Sequence, residues 1–458
     1  MLSTPSDQRH IHPVQPPRPP LRLRRIAALP AALALAAVIA TPGAAQEARR
    51  RWERLCQIRI EKFDRILPQA MREHDIDLWI VAQRENRNDP LYDILGRGYT
   101  SSIGYYLFTR RDDRVERVAM GITGGMLEQC PAYDRVTGGV DLAAFVAERA
   151  PGRIAVNTSD EIGMADGISA SLHRHLIATL GPPWSERLVS AERLVSDFLS
   201  LHTAGEIAAF AEAGELSREI AERALSNEVV VPGRTSLSDV AWWMWDQLLR
   251  RGLESSFDMP SVYVTGPDGI EATSNDRIIQ PGDLLTIDWG VGYLNQFTDV
   301  KRIAYVLKPG ETAAPPGIQR AFDRALEVRE VIRRTIRPGP TAGAMLEQLN
   351  AAVGAAGFTI MAGFNQPTSG PTTDVIIGCH SVGDRGHGSG PSIAWFNPKQ
   401  LTFPIRPTNF FSIEFFAYTA APEWGGRKVR IPLEDDAVVT ARGVEWLYPV
   451  NSRILLIR

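Results

Sequence analysis

Cysteine is scarce in this chain, with three among 458 residues. Three cannot build a disulfide framework, which excludes the small stapled scaffolds. Neither charge is in excess: 50 Lys and Arg stand against 53 Asp and Glu, a net of −3. That balance excludes a protein held to nucleic acid by a basic surface. Histidine is also sparse, eight in all, and His10 and His12 fall near the start. Long apolar runs are missing too. Ile26 to Ala40 spans 15 residues, short of the roughly 20 that a membrane-crossing helix needs. What is present is ordinary: 44% apolar and 22% charged residues. Such a composition excludes disorder along the whole chain. The length suits two or three domains with a core large enough to need no staples.

The first residues read as an address. Residues 1–25 are rich in Pro, His and Arg and end in Leu21-Arg22-Leu23-Arg24-Arg25. The apolar run follows, then the small residues Gly43-Ala44-Ala45. A basic region, a short apolar run and a small-residue site predict a signal peptide over 1–45, with an uncleaved anchor as the alternative. The mature protein is expected to be exported, periplasmic or secreted, with no stable membrane span after cleavage. Export permits disulfides. Cys56 and Cys130 could pair, and Cys379 is expected to be buried and free.

Two regions follow. Over 46–203, helical spacing predicts a helix at Arg50–Glu73, from Leu55, Ile58, Phe63, Ile66 and Leu67. Short apolar runs predict strands at Leu78–Ala82, Tyr105–Phe108, Val115–Met120 and Ile154–Asn157. Helices fit at Leu142–Glu148 and Ser169–Thr179. That alternation predicts an α/β domain. From 204 to 458 a long helix, Ala204–Ser226, precedes short strands and further helices. Helix, Pro-Gly-x-Thr turn and helix occur twice, around Pro232-Gly233 and Pro338-Gly339. The echo predicts two similar halves about a pseudo-twofold axis, with chance recurrence of a common turn as the bland alternative.

Acids sit where they are costly. Leu284-Leu285-Thr286-Ile287-Asp288 ends an apolar strand in a carboxylate, and Asp299 follows beyond the turn Tyr293-Leu294-Asn295. Phe410-Phe411-Ser412-Ile413-Glu414-Phe415-Phe416 sets a Glu among aromatics, and Leu433-Glu434-Asp435-Asp436 follows another apolar run. A charge in such a strand is expensive unless paired or metal-bound. His380 and His387 lie within one glycine-rich stretch. Four carboxylates with one or two histidines suit hard or borderline divalent cations. Mutual repulsion would protonate the acids unless cations neutralised them. Two cations with a bridging water are the natural complement.

At this point the sequence resembles the pita-bread metallopeptidases, among them methionine aminopeptidase, aminopeptidase P and prolidase. The resemblance covers about residues 205–458. Asp288, Asp299 and Arg302 resemble the family's Asp hairpin. His380-Ser381-Val382-Gly383 resembles its Gly-His-x-x-Gly element, with Cys379 in place of the first Gly. Ser412-Ile413-Glu414 resembles Thr-Ile-Glu, and Leu433-Glu434-Asp435-Asp436 resembles Ile-Glu-Asp-Asp. The resemblance implies an α/β (α+β) protein with a creatinase-like N-terminal α/β domain ahead of a pseudo-twofold catalytic domain. It also implies a homodimer and two divalent ions, manganese first, with cobalt, iron or zinc as alternatives. Asp288 would chelate one ion, Asp299 and Glu434 would bridge, and His380 and Glu414 would hold the other. Glu414 would move the proton of the bridging water, His387 would bind the scissile carbonyl, and Arg302 would orient a carboxylate from behind.

The sequence departs from that pattern around the substrate. No histidine occurs between His202 and His380. Thr273 or a neighbour stands where a substrate histidine would be, Ile376 precedes the metal histidine, and Gly388-Ser389-Gly390 follows His387. The function implied is a metallo-aminopeptidase or dipeptidase of Xaa-Pro type. The alternative is a metal-dependent lyase or C–N hydrolase of a small molecule on the same scaffold. A non-catalytic binding protein explains the metal ligands poorly, because buried carboxylates without a task cost stability.

Overall fold

In the computed structural model the described residues are 42–267, 269–272, 276–363 and 369–458. Residues 1–41 of the expected signal segment, and Thr273, lie outside them. Contacts gather Glu47–Arg458 into one unit. Among the described residues no helix is long and apolar enough to cross a membrane.

The N-terminal sheet has six strands. Leu78–Arg84 lies near its middle, antiparallel to Tyr99–Arg111 and parallel to Ile154–Val156. Arg114–Thr123 extends one side and Leu188–Ser190 the other. The expected strands and the helices Leu142–Arg149 and Ala170–Leu180 are all present. Trp79, Phe63, Phe108 and Phe198 pack edge-on, tilted or stacked in the core under this sheet. The expected helix at 50–73 is one run with a fault in it. Pro42–Glu61 and Leu67–Glu73 are α-helical, and Lys62–Ile66 between them is a wider π turn. Pro68 has no N–H and its ring crowds the carbonyl four residues back, which accounts for the widened turn just before it. Cys56 and Cys130 form a disulfide, with Cα atoms 5.7 Å apart, and Cys379 is buried and free.

The second part holds two halves built alike. In the first, helices Ala204–Ala224 and Leu237–Arg251 pack on a sheet that includes Ser261–Gly266, Leu284–Trp289 and Val300–Val306. In the second, Pro316–Thr335 and Ala342–Ala355 pack on sheets that include Asp374–Ile377, Phe410–Ser412, Phe415–Ala420 and Lys428–Leu433. The two Pro-Gly turns occupy equivalent places. Gly233 and Gly339 both take positive φ, +80° and +119°, a conformation glycine adopts without steric cost. Gly233 N donates to Ile279 O, and Gly339 N donates to Ile405 O. Leu237 N donates to Arg277 O, and Ala342 N to Phe403 O. Ser236 and Thr341 then cap their helices by accepting from Asp239 N and Ala344 N, each cap worth about 1 kcal/mol. The repeat read from the sequence is therefore a repeat of hydrogen bonding, not only of residue types.

The parts meet through buried charge. Lys62 Nζ, on the π turn, lies 2.8 and 2.9 Å from the Glu206 oxygens, and both side chains are almost wholly buried. Glu206 also closes a capping box with Thr203 at the start of Ala204–Ala224.

Candidate metal centre

The site is assembled from strand ends. Asp288 is the penultimate residue of Leu284–Trp289, whose Leu285, Ile287 and Trp289 go to the core. Alternation along a strand sends Asp288 to the other side. The chain reverses through Leu294 and Asn295, both at positive φ, the conformation a tight hairpin of this type demands. At Gly290 an added Cβ would lie 1.7 Å from Thr298 O. Only glycine lets the two arms come this close, and their closeness sets Asp299 beside Asp288. Asp299 N donates to Asp436 Oδ2 at 3.1 Å, which fixes the backbone there. Glu414 lies between the strands Phe410–Ser412 and Phe415–Ala420, and Glu434 directly follows Lys428–Leu433. Phe415 pairs with Leu433, so the two glutamates emerge side by side.

His380 opens the short strand His380–Ser381, and its side chain is 1% exposed. Its Nδ1 lies 2.8 Å from Ser381 O. A carbonyl accepts, so Nδ1 carries the proton and Nε2 is left with a lone pair. Nε2 lies 3.4 Å from Glu434 Oε1, 3.6 Å from Asp299 Oδ2 and 3.9 Å from Glu414 Oε2. Asp299, His380 and Glu434 each offer a ligand atom within 4.8 Å of the others. Among the described residues, His380 Nε2 and Asp299 Oδ1 are buried without hydrogen-bond partners. Buried polar atoms are almost always partnered, and two such orphans on residues of one ligand-competent cluster fit a cation site. The spacing also fits, because a cation about 2.1 Å from each ligand brings ligands about 3–4 Å apart.

The Asp288 side of the bowl is different. Lys301 Nζ lies 2.5 Å from Glu434 Oε2, 2.7 Å from Glu414 Oε1 and 3.1 Å from Asp288 Oδ2. Burial alone would push the Lys301 ammonium down, but these carboxylates more than reverse it and hold it well above the usual lysine range. Burial raises Asp299 well above the usual carboxylate range, with Glu434 adding to it. Glu434 is opposed by burial, yet Lys301 holds it well below that range. Asp288 stands at the rim with its side chain 31% exposed. Burial of its carboxyl, with Glu434 and Glu414 adding and Lys301 opposing, pushes it up to about 6.

The structure thus brings Asp288, Asp299, His380, Glu414 and Glu434 to one bowl. His387 stands over it, its ring centroid 4.9 Å from that of His380 and nearly perpendicular to it. Burial holds His387 below the usual histidine range. Arg302 lies behind the bowl, its Nη1 2.8 Å from Asp435 Oδ1. Two residues of the site were given no role of their own by sequence reading. Ser412 Oγ donates to Glu434 Oε1 at 2.6 Å. Lys301 was legible as a strand residue two places after Asp299, because such residues share a face.

Paired helix-and-sheet halves around a buried bowl of acids and histidine define the pita-bread class of fold. Residues 208–441, about half of the chain, match Peptidase_M24, metallopeptidase family M24, and the chain belongs to this family. No curated protein matches the sequence. Among solved structures the chain is similar to an X-Pro aminopeptidase from Thermotoga maritima MSB8, at 19% identity and a TM-score of 0.61, over 85% of this chain and 99% of that one. It is similar to a Xaa-Pro dipeptidase from Bacillus anthracis at 18% identity and TM-score 0.56, covering 88% and 99%. A prolidase from Pyrococcus horikoshii OT3 aligns at 16% identity and TM-score 0.56, covering 87% and 99%. At these identities the likeness is one of fold.

Proposed function

We propose that this M24 chain is an exported metallopeptidase that releases N-terminal residues from peptides or splits dipeptides, with Xaa-Pro bonds as the first substrate class to test. The observation that carries the reading is the pair of orphaned buried atoms, His380 Nε2 and Asp299 Oδ1, beside Glu434. Asp299, His380 and Glu434 would hold a divalent ion, with Glu414 Oε2 completing the set. Manganese is the first candidate, then cobalt, iron or zinc, all of which suit carboxylate and imidazole donors. Such an ion supplies a Lewis acid and a water that ionises near neutral pH. The pair of ions expected from the sequence would also draw on Asp288.

The chain's own groups do the rest. Glu414 faces the His380 side with Oε2 while Lys301 fixes Oε1, which sets its carboxylate where it could pass the proton of an ion-bound water. His387 stands over the ligands, placed to hydrogen-bond a carbonyl oxygen as it gains charge. Ser412 and Lys301 hold Glu434 in one orientation. The mature chain is taken to begin after residue 45, outside the cytoplasm, and to work as a homodimer. The Cys56–Cys130 disulfide suits an oxidising compartment.

The test is product analysis by mass spectrometry on mature, metal-loaded protein. Xaa-Pro peptides and dipeptides are set against matched peptides without proline. Release of free N-terminal residues supports the peptidase, and the controls report whether proline matters. Intact peptides throughout would overturn it and favour lyase or C–N hydrolase chemistry on a small molecule. Fractionation of the source cells tests export, and sedimentation tests the dimer.

A further inference from the structure

We propose that the ammonium of Lys301 stands permanently in the place of one of the two cations, so that the bowl binds a single divalent ion on its His380 side. The inference rests on the metallopeptidase reading of the same site. Lys301 is on the strand Val300–Val306, and its Cα pairs with that of Asp288 on Leu284–Trp289. Alternation puts Asp299 and Lys301 on one face of this strand and Arg302 on the other. The lysine is therefore aimed into the bowl by the backbone itself. Its side chain is 4% exposed.

The contacts divide the bowl in two. An ammonium has three hydrogens, and Lys301 Nζ has a carboxylate oxygen of Asp288, Glu414 and Glu434 within 3.1 Å, 2.7 Å and 2.5 Å. Glu414 turns Oε1 to Lys301 and Oε2 toward His380. Glu434 turns Oε2 to Lys301 and Oε1 toward His380. Both glutamates thus bridge, but between an ammonium and an imidazole. A second divalent ion on the Asp288 side would need the same three oxygens at about 2.1 Å. It would then share their space with a unit positive charge and repel it at close range. Withdrawing the lysine would leave its carboxylates buried and unpaired, which is costly. Charge agrees with one ion. Four carboxylates against Lys301 and one divalent ion leave a single negative charge, whereas a second ion would leave an excess of positive charge.

The experiment is manganese loading of metal-stripped full-length mature protein, read by mass spectrometry of bound metal and by electron paramagnetic resonance. The wild type is expected to hold about one Mn2+ per chain with the spectrum of an isolated ion. Lys301→Ala removes the charge and opens its space, and is expected to hold about two with the spectrum of a spin-coupled pair. Lys301→Arg keeps the charge and is expected to stay at one. Two coupled ions in the wild type, or one ion in both wild type and Lys301→Ala, overturns the proposal. If Lys301→Ala does not fold, Lys301→Gln replaces it, and the wild-type spectrum alone is decisive against the proposal. Failure of the two readings is distinguishable. Two ions with peptide hydrolysis overturns this inference alone, one ion without hydrolysis overturns the peptidase alone, and no ion overturns both.

Discussion

Lys301 and Arg302 are neighbours in sequence, and each meets one of the neighbours Glu434 and Asp435. Lys301 Nζ lies 2.5 Å from Glu434 on the bowl side, and Arg302 Nη1 lies 2.8 Å from Asp435 on the far side. One strand crossing therefore carries two buried ion pairs back to back. The front pair shapes the candidate metal centre, and the rear pair holds its wall. Asp435 is further held by Arg329 at 3.2 Å and by Asn451 N at 3.0 Å.

The rear pair predicts a stability effect. Arg302 and Asp435 are 1% and 0% exposed, so Arg302→Met leaves a buried charge short of a partner. The expected loss is about 3 kcal/mol. Arg333→Met, which breaks an exposed contact with Glu330, is expected to cost under about 1 kcal/mol. Urea unfolding of the two variants checks this. Equal midpoints would mean that Arg329 alone suffices for Asp435.

The two sides of the bowl predict unequal ligand variants. Asp299 belongs to the cluster with His380 and Glu434, so Asp299→Ala is expected to lower bound manganese at least tenfold. Asp288 touches Lys301 instead, so Asp288→Ala is expected to keep the ion within about threefold of wild-type affinity. Calorimetric titration with Mn2+ reads both. Equal losses would place Asp288 among the ligands of the same ion.

His202 predicts a pH dependence of stability. Its ring stacks on Phe410 at 3.6 Å between centroids, and burial holds it down at about 4 from 6.5. As pH falls through 6.5 the unfolded chain takes up a proton there and the folded chain does not. Stability from this residue is full above 6.5 and is lost progressively toward 4. Between pH 7.5 and 5 the wild type should lose about 2 kcal/mol more than His202→Phe, which keeps the stacking. Unfolding at both pH values decides it, and parallel losses would count against a buried neutral ring. Both points stay above the range of Glu206, which Lys62 and His202, against burial, hold at about 2.

The disulfide predicts a cost on reduction. Cys56 and Cys130 are 74 residues apart in sequence, and closing a loop of that length restricts the unfolded chain by about 4 kcal/mol in the chain-entropy picture. Cys56→Ser with Cys130→Ser is expected to lower the melting temperature by several degrees. In the oxidised protein only Cys379 should react with a thiol reagent, and only after unfolding, since it is buried. Reaction of more than one thiol per unfolded, unreduced chain would show that the pair is open.

Much of the site was legible because its chemistry is local. A carboxylate at the end of an apolar run, as at Asp288, or a Glu among phenylalanines, as at Glu414, is conspicuous wherever the chain goes. Strands and helices of the N-terminal part followed from periodicity in the same way. The π turn at Lys62–Ile66 did not, since periodicity over two turns barely distinguishes it from an α-helix. Lys301 was in plain sight but was given no role, because its meaning depends on which face of the strand Asp299 occupies.

The sequence by itself determined the inventory: which residues can bind a cation, where the chain must turn, and which segments must be buried. Spacing and side-chain chemistry are properties of a short stretch, and they survive without a fold. Only the tertiary structure decided convergence. It set Cys56 beside Cys130, made the bonds at Gly233 and Gly339 equivalent, and split the oxygens of Glu414 and Glu434 between Lys301 and His380. Each of these is a distance between segments far apart in the chain, and such distances are fixed by packing of the whole, where no local pattern records them.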